Sequence, residues 1–258
     1  MIKKRLIGVV TIKNGWAVQS FGYSRYLPLG KPELLVENLD RWGVDEILIQ
    51  VIDRSICNSG PDFELVNRLA NLGLKTPLIY SGGIKSDSEG IRLIKSGADR
   101  IVVDTLLRRS IDAVKKLSLT LGAQALITSL PVSSKNGTLL WYDYIDKKFS
   151  PLSDELNSLI RSDLISEILL IDWENEGVVR AFNQDLINHL PNNIPLILFG
   201  GISESCQIQS LLGLPNVAAV AIGNFLTYKE HAIQTFKNEL HGISIRPANY
   251  ESNFSLIN

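Results

Sequence analysis

Acidic residues are missing from two long stretches of this 258-residue chain: none occurs between Met1 and Pro32, and none between Ala113 and Tyr142. Each stretch contains a strand-like apolar run, so the loops that follow those runs carry no carboxylate for proton transfer. Cysteine is scarce too. Cys57 and Cys206 are the only 2, with no CxxC spacing, which argues against a disulfide framework and a cysteine metal site and favours a reducing, cytoplasmic setting. The 3 histidines, His189, His231 and His241, fall in helical or terminal positions and suggest neither a base nor a metal ligand. No metal and no cofactor is expected. Net charge is −1, so the chain lacks the global basic field that nucleic-acid binding uses. The opening "MIKKRLIGVV" is basic and then apolar, but Thr11 and Lys13 interrupt it. It is too short for a signal peptide or a membrane span.

What the chain does contain is a series of short apolar runs. Strands are expected near Leu6–Ile12, Ile47–Ile52, Leu78–Tyr80, Ile101–Val103, Ala125–Thr128, Ile168–Ile171, Leu196–Phe199 and Ala218–Ile222. Their interiors are nearly all apolar, as when both faces of a parallel sheet are covered. Amphipathic stretches such as "KPELLVENLDRWG" and "DSEGIRLIKSG" separate them. Eight strand–helix units in roughly 250 residues suit a (β/α)8 TIM barrel. A doubly wound open sheet is the alternative.

Two segments repeat: Pro77-Leu78-Ile79-Tyr80-Ser81-Gly82-Gly83-Ile84 and Pro195-Leu196-Ile197-Leu198-Phe199-Gly200-Gly201-Ile202. "GVDEILIQVID" echoes "LISEILLIDWE" in the same way. Both pairs suggest a half-barrel internal repeat. The barrel is expected over residues 1–240, with an irregular C-terminal extension over 241–258. A β-hairpin or long loop is expected at 133–151, where turn residues and aromatics alternate.

Gly82, Gly83, Gly200, Gly201, Gly223 and Asn224 follow strand ends. Glycine there either lets backbone N–H groups approach an anion or simply permits a tight turn. For Gly200 and Gly223 the anion is the favoured reading, because barrels commonly bind phosphate after their last two strands. For Gly82 and Gly83 the readings balance, since the neighbouring strand ends in Asp104-Thr105 and a carboxylate repels phosphate.

The order of "KKRLI", "IKNG", "WGVDEILI", "SGGI", "SGADRI", "GGIS" and "IGN" resembles the cyclase subunit of imidazole glycerol phosphate synthase, over roughly residues 1–240. The resemblance implies a half-barrel repeat with two phosphate sites and a glutaminase partner docked on the bottom face. It also implies ammonia passing through the barrel to a bisphosphorylated ribulose intermediate, in histidine biosynthesis. The departures are specific. Where that family has C-L-D-V-K-D-G, this chain reads Val9-Val10-Thr11-Ile12-Lys13-Asn14-Gly15, so Thr11 occupies the first catalytic Asp position. The second catalytic Asp, at the end of the fifth strand, has no counterpart in Ile127-Thr128-Ser129-Leu130-Pro131. The phosphate-contacting Asn-Thr after the fourth strand is Asp104-Thr105. A threonine hydroxyl does not ionise near neutral pH and cannot shuttle protons as a carboxylate does. Asp53 and Asp172 are fallback acids near strand ends. Bulky Trp16 and Phe199 are expected to narrow the mouth.

Arg5, Glu46, Arg100 and Glu167 precede strands one, two, four and six. The resemblance implies a charged ring at the ammonia entrance there, with Arg100 in place of a Lys, and Asp99 at the glutaminase interface. The expected function is a cyclase-like subunit that binds a glutaminase and channels ammonia without cyclase chemistry of its own. The resemblance suggests delivery to a sugar amidotransferase of surface-polysaccharide (lipopolysaccharide) biosynthesis. A phosphorylated small molecule remains a candidate ligand of the glycine loops. The alternatives are an active cyclase using displaced acids and a non-conducting scaffold.

Overall fold

A computed structural model describes residues 3–228 and 231–248. The part of the expected C-terminal extension beyond 248 lies outside the described residues. Eight parallel strands form the frame: β1 (Arg5–Lys13), β4 (Glu46–Val51), β5 (Leu78–Ser81), β6 (Arg100–Val103), β7 (Leu126–Lys135), β10 (Glu167–Asp172), β11 (Leu196–Phe199) and β12 (Val217–Ile222). All but β7, which carries Thr128 and Ser129, are apolar through their middles, and each pairs with the next. β10 pairs with β7, and β12 pairs with β1, so no edge is left and the sheet closes. The chain is a (β/α)8 TIM barrel, and the open-sheet alternative is excluded.

Side chains alternate across each strand. The inward set, including Ile7, Leu48, Ile79, Val102, Leu169 and Phe199, fills the barrel centre. The outward set packs against the helices in a second, larger cluster. The helices are α1 (Pro32–Trp42), α2 (Phe63–Ala70), α3 (Asp87–Lys95), α4 (Thr105–Arg109), α5 (Ile111–Leu121), α6 (Asp154–Ile160), α7 (Ser205–Leu212) and α8 (Ala232–Glu239). Between β10 and β11 the crossover holds only a 3-10 turn, Gln184–His189. Local chemistry marks the helix starts. Asp62, Ser86, Ser110 and Ser153 each accept a hydrogen bond from a first-turn N–H of α2, α3, α5 and α6, a cap worth about 1 kcal/mol each.

Two antiparallel additions rise above the strands' C-terminal ends. The anticipated one spans 133–151: β7 runs on past the barrel and pairs with β8 (Thr138–Asp143), which pairs with β9 (Lys148–Pro151). The other was not expected. β1 turns at Asn14-Gly15 into β2 (Trp16–Phe21), which pairs with β3 (Arg25–Gly30).

The two matching segments of the sequence form β5 and β11 with the loops after them. Gly82 and Gly200 have φ of 134° and 100°. A Cβ on Gly82 would sit 2.3 Å from the Val51 carbonyl oxygen, and one on Gly200 would sit 2.6 Å from that of Asp172. The backbone alone requires glycine at both places. Among the described residues no helix is long and apolar enough to cross a membrane.

Candidate functional site

At the strands' N-terminal end, four inward side chains form a closed circuit. Arg5 bonds Glu46 at 2.9 Å and also pairs with Glu167. Arg100 bonds Glu46 at 3.3 Å and Glu167 at 2.6 Å. Each carboxylate therefore bridges both guanidinium groups, and the circuit is neutral. Arg100 also donates to the Gln124 carbonyl at 3.0 Å and the Ser166 hydroxyl at 2.7 Å. That is four acceptors for one planar fork, a pattern that a lysine ammonium does not reproduce. Burial raises the Glu46 pKa, with the charges of Arg5 and Arg100 opposing it. Asp99 lies beside the ring, exposed, and accepts from the Leu78 N–H at 2.7 Å.

At the other end, β2–β3, β8–β9 and the loop after β10 meet over the mouth. Each contributes one ring to a stack. Tyr23 lies 4.6 Å from Trp173, and Tyr142 lies 4.1 Å from Trp173. Two separate cavities result. The larger, about 390 Å³, sits over the first half of the barrel. Its walls include Gln50, Ser55, Gly83, Asp104, Ser129 and Tyr144. The smaller, about 10 Å³, sits among the second-half loops. It has room for roughly one water. Tyr23 stands between them. Its ring lines the larger cavity, and its N–H donates at 3.1 Å to Glu176, which lines the smaller.

Thr11 lines the small cavity and Ser129 the large one, both buried. Neither can carry a proton-transfer carboxylate role. The fallback acids serve loop geometry. Asp53 accepts from the Asn14 N–H at 2.7 Å. Asp172 accepts from the Asn175 amide and the Asn183 N–H, both at 2.8 Å. Neither acid lines either cavity. Asn224 spends its whole amide on β2, accepting from the Ser20 N–H at 3.0 Å and donating to the Ser20 carbonyl at 2.5 Å. Gly200, Gly201 and Gly223 line the small cavity, and Gly82 and Gly83 line the large one. Phe199 is buried and lines the small cavity. Trp16 does not narrow the mouth: its side chain is 54% exposed and lines neither cavity.

One acid lines each cavity. Glu176, buried, is held by the Ser20 hydroxyl and the Tyr23 N–H, both at 3.1 Å. Asp104 bonds Arg108 at 3.0 Å, and burial drives its pKa up to about 6, against the opposing pull of Arg108. Tyr144 joins Thr105 at 2.9 Å, Thr105 donates to Ser55 at 2.9 Å, and the Gly83 N–H donates to Ser55 at 3.1 Å. Sequence reasoning treated Asp104 only as a bar to phosphate. The Asp104/Arg108 spacing of i and i+4 at a strand end was the available signal for a held carboxylate. Among the described residues no group of three or more His, Cys, Asp or Glu could hold a metal ion.

A family model described as "Histidine biosynthesis protein" matches residues 5–232. A Campylobacter jejuni protein, "Putative imidazole glycerol phosphate synthase subunit hisF2", is 30% identical over 236 residues, covering 88% of this chain and 92% of its own. A Vibrio vulnificus protein of the same name is 27% identical, covering 95% and 91%. The imidazole glycerol phosphate synthase subunit HisF of Natranaerobius thermophilus is 24% identical, covering 95% and 100%.

Proposed function

Because this chain belongs to the histidine biosynthesis protein family, as a barrel like the HisF cyclase subunits, we propose that it pairs with a glutaminase and carries ammonia without cyclising a substrate. Ammonia enters through the Arg5–Glu46–Arg100–Glu167 ring, and Asp99 belongs to the glutaminase interface. The nitrogen is handed to a second enzyme, a sugar amidotransferase of surface-polysaccharide biosynthesis.

The observation that carries the non-cyclising part is the separation of the acids. Cyclisation in this family uses two carboxylates on one bisphosphate. Here the two acids that line the mouth cavities, Asp104 and Glu176, sit in different cavities. Thr11 and Ser129 occupy the positions where carboxylates would be needed. General acid–base groups contribute about 10²–10⁴-fold each, so losing both removes most of the rate.

The conducting part is supported by the ring and by what lies above it. Four residue steps along β10 lead from Glu167 to Ile171 at the floor of the large cavity, roughly 13 Å at about 3.3 Å per residue. The interior between is apolar, which favours neutral ammonia over ammonium. The purified chain, given free ammonium and the bisphosphorylated ribulose intermediate, is expected to yield no imidazole glycerol phosphate. Turnover of about 1 per second or faster would instead establish an active cyclase.

A further inference from the structure

The exposed apolar side chains of this chain are not scattered. Of the nine large ones among the described residues, Trp16, Leu27, Ile56, Ile145, Val178 and Val179 stand on segments that follow β1, β4, β7 and β10 at the strands' C-terminal ends. They therefore border the mouth. Ile56 and Ile145 also line the large cavity. The loop that carries Val178 and Val179 is tied to the β2–β3 hairpin, whose Gly22 N–H donates to the Glu176 carbonyl at 3.0 Å. Single exposed apolar groups need no explanation, but several around one opening mark a contact surface.

The large mouth is also positively charged. Lys13 and Lys147 line it. Lys13 lies 3.7 Å over the Tyr26 ring, and Arg25, on the β2–β3 hairpin, lies 4.9 Å over the Phe21 ring. Among the described residues none of these three cations pairs with a carboxylate, whereas Arg54, Arg108, Lys148 and Arg180 nearby each do. Asp104, the one acid in the cavity wall, is already bonded to Arg108. Two copies of this chain set mouth to mouth would bring like charges together, which disfavours a self-pair. A protein surface with an apolar centre and flanking carboxylates is complementary. The cargo needs such a cover too. Ammonia that meets bulk water at neutral pH takes up a proton and ceases to be a nucleophile, so an open mouth would waste it.

We propose that the rim formed by Trp16, Ile56, Ile145, Val178 and Val179 is the docking face for the enzyme that takes the nitrogen, and that this enzyme presents an apolar patch with carboxylates facing Lys13 and Lys147. The inference rests on the ammonia-carrying reading and adds where its second partner sits.

Two measurements test it. In the first, photo-reactive benzoylphenylalanine is placed at position 16, 179 or 119 of the whole chain in its own cell, and the cross-linked proteins are identified by mass spectrometry. Positions 16 and 179 are expected to capture one amide-forming enzyme. Leu119, exposed at the far end of α5, is expected not to capture it. In the second, the chain, its glutaminase and the captured enzyme are given glutamine labelled with 15N at the side-chain amide, in a bath of unlabelled ammonium. With wild type the amide product is expected to carry mainly the glutamine label. Trp16→Glu and Val179→Glu are each expected to dilute that label by about tenfold or more, the usual cost of a lost interface anchor, with glutamine hydrolysis unchanged. Lys13→Glu with Lys147→Glu is expected to weaken binding of the captured enzyme by about tenfold or more. Label that stays undiluted in both rim variants would overturn the docking face and leave the ammonia-carrying reading intact. No label in the product with wild type, while the rim still captures the enzyme, would overturn that reading and not the docking face. Capture of only a second copy of this chain at positions 16 and 179, or no capture there, would overturn the proposal. So would capture-free binding of the wild type to vesicles of phosphatidylglycerol and phosphatidylcholine that Trp16→Glu abolishes.

Discussion

Replacing Glu46 by Gln removes one of the two carboxylates that hold the basal ring together. Glu46 touches Arg5 at 2.9 Å and Arg100 at 3.3 Å, and its side chain is only 9% exposed. Breaking a buried pair from one side usually costs about 3–5 kcal/mol. Here Glu167 still touches both arginines, and Arg5 reaches water with 23% of its side chain, so about 1–3 kcal/mol is expected. Glu167→Gln should cost a similar amount by the same reasoning. The double variant leaves two guanidinium groups facing each other without an anion. Its loss should exceed the sum of the singles by about 1 kcal/mol or more, the size of coupling seen in shared charge networks. Urea unfolding measures all three, provided the slope against urea is unchanged. Single losses within about 0.5 kcal/mol, as for ordinary surface sites, together with strict additivity, would show that these residues do not act as one circuit.

Other perturbations test other parts of the structure. Asp104 carries its proton to about pH 6 when folded, against an ordinary value of 3.8, so its contribution is fully present at low pH and is lost as pH rises through 6. Relative to wild type, Asp104→Asn should therefore gain about 2.4 kcal/mol between pH 4 and pH 7; a difference that stays flat with pH would contradict the burial of this carboxyl. Lys237 and Asp45 pair at 2.9 Å with side chains 2% and 3% exposed, so Lys237→Met should cost about 3–5 kcal/mol and lower Tm by about 10 °C. A change under 2 °C would mean that the pair does not anchor α8. Gly82→Ala should destabilise the chain by more than about 2 kcal/mol, because its Cβ meets the Val51 carbonyl. An unchanged denaturation midpoint would show that the turn relaxes around it.

The barrel was legible because its eight strands are buried on both faces, and continuous apolar runs such as Leu196–Phe199 declare that burial directly. The β2–β3 hairpin was hidden for the opposite reason. Gln19 and Ser20 are buried polar residues satisfied by partners distant in sequence, Thr227 and Asn224 with Glu176, so the stretch lacks the alternation of a half-buried strand. The basal charges could be picked out from strand starts and family resemblance, but their inward direction depends on register across four strands, which no local pattern encodes. The glycines were ambiguous because one sequence feature serves two causes. At Gly82 and Gly200 the close carbonyls are sufficient reason for glycine. The division of the mouth into two cavities was out of reach, because Tyr23, Tyr142 and Trp173 come from three segments far apart in sequence.

The most direct measurement follows the nitrogen itself. The chain and its glutaminase would be given glutamine labelled with 15N at the side-chain amide, together with the bisphosphorylated ribulose intermediate. The expected result is glutamate and labelled ammonia released in equal amounts, with no label in imidazole glycerol phosphate. Labelled imidazole product formed at the rate of glutamine hydrolysis would contradict it.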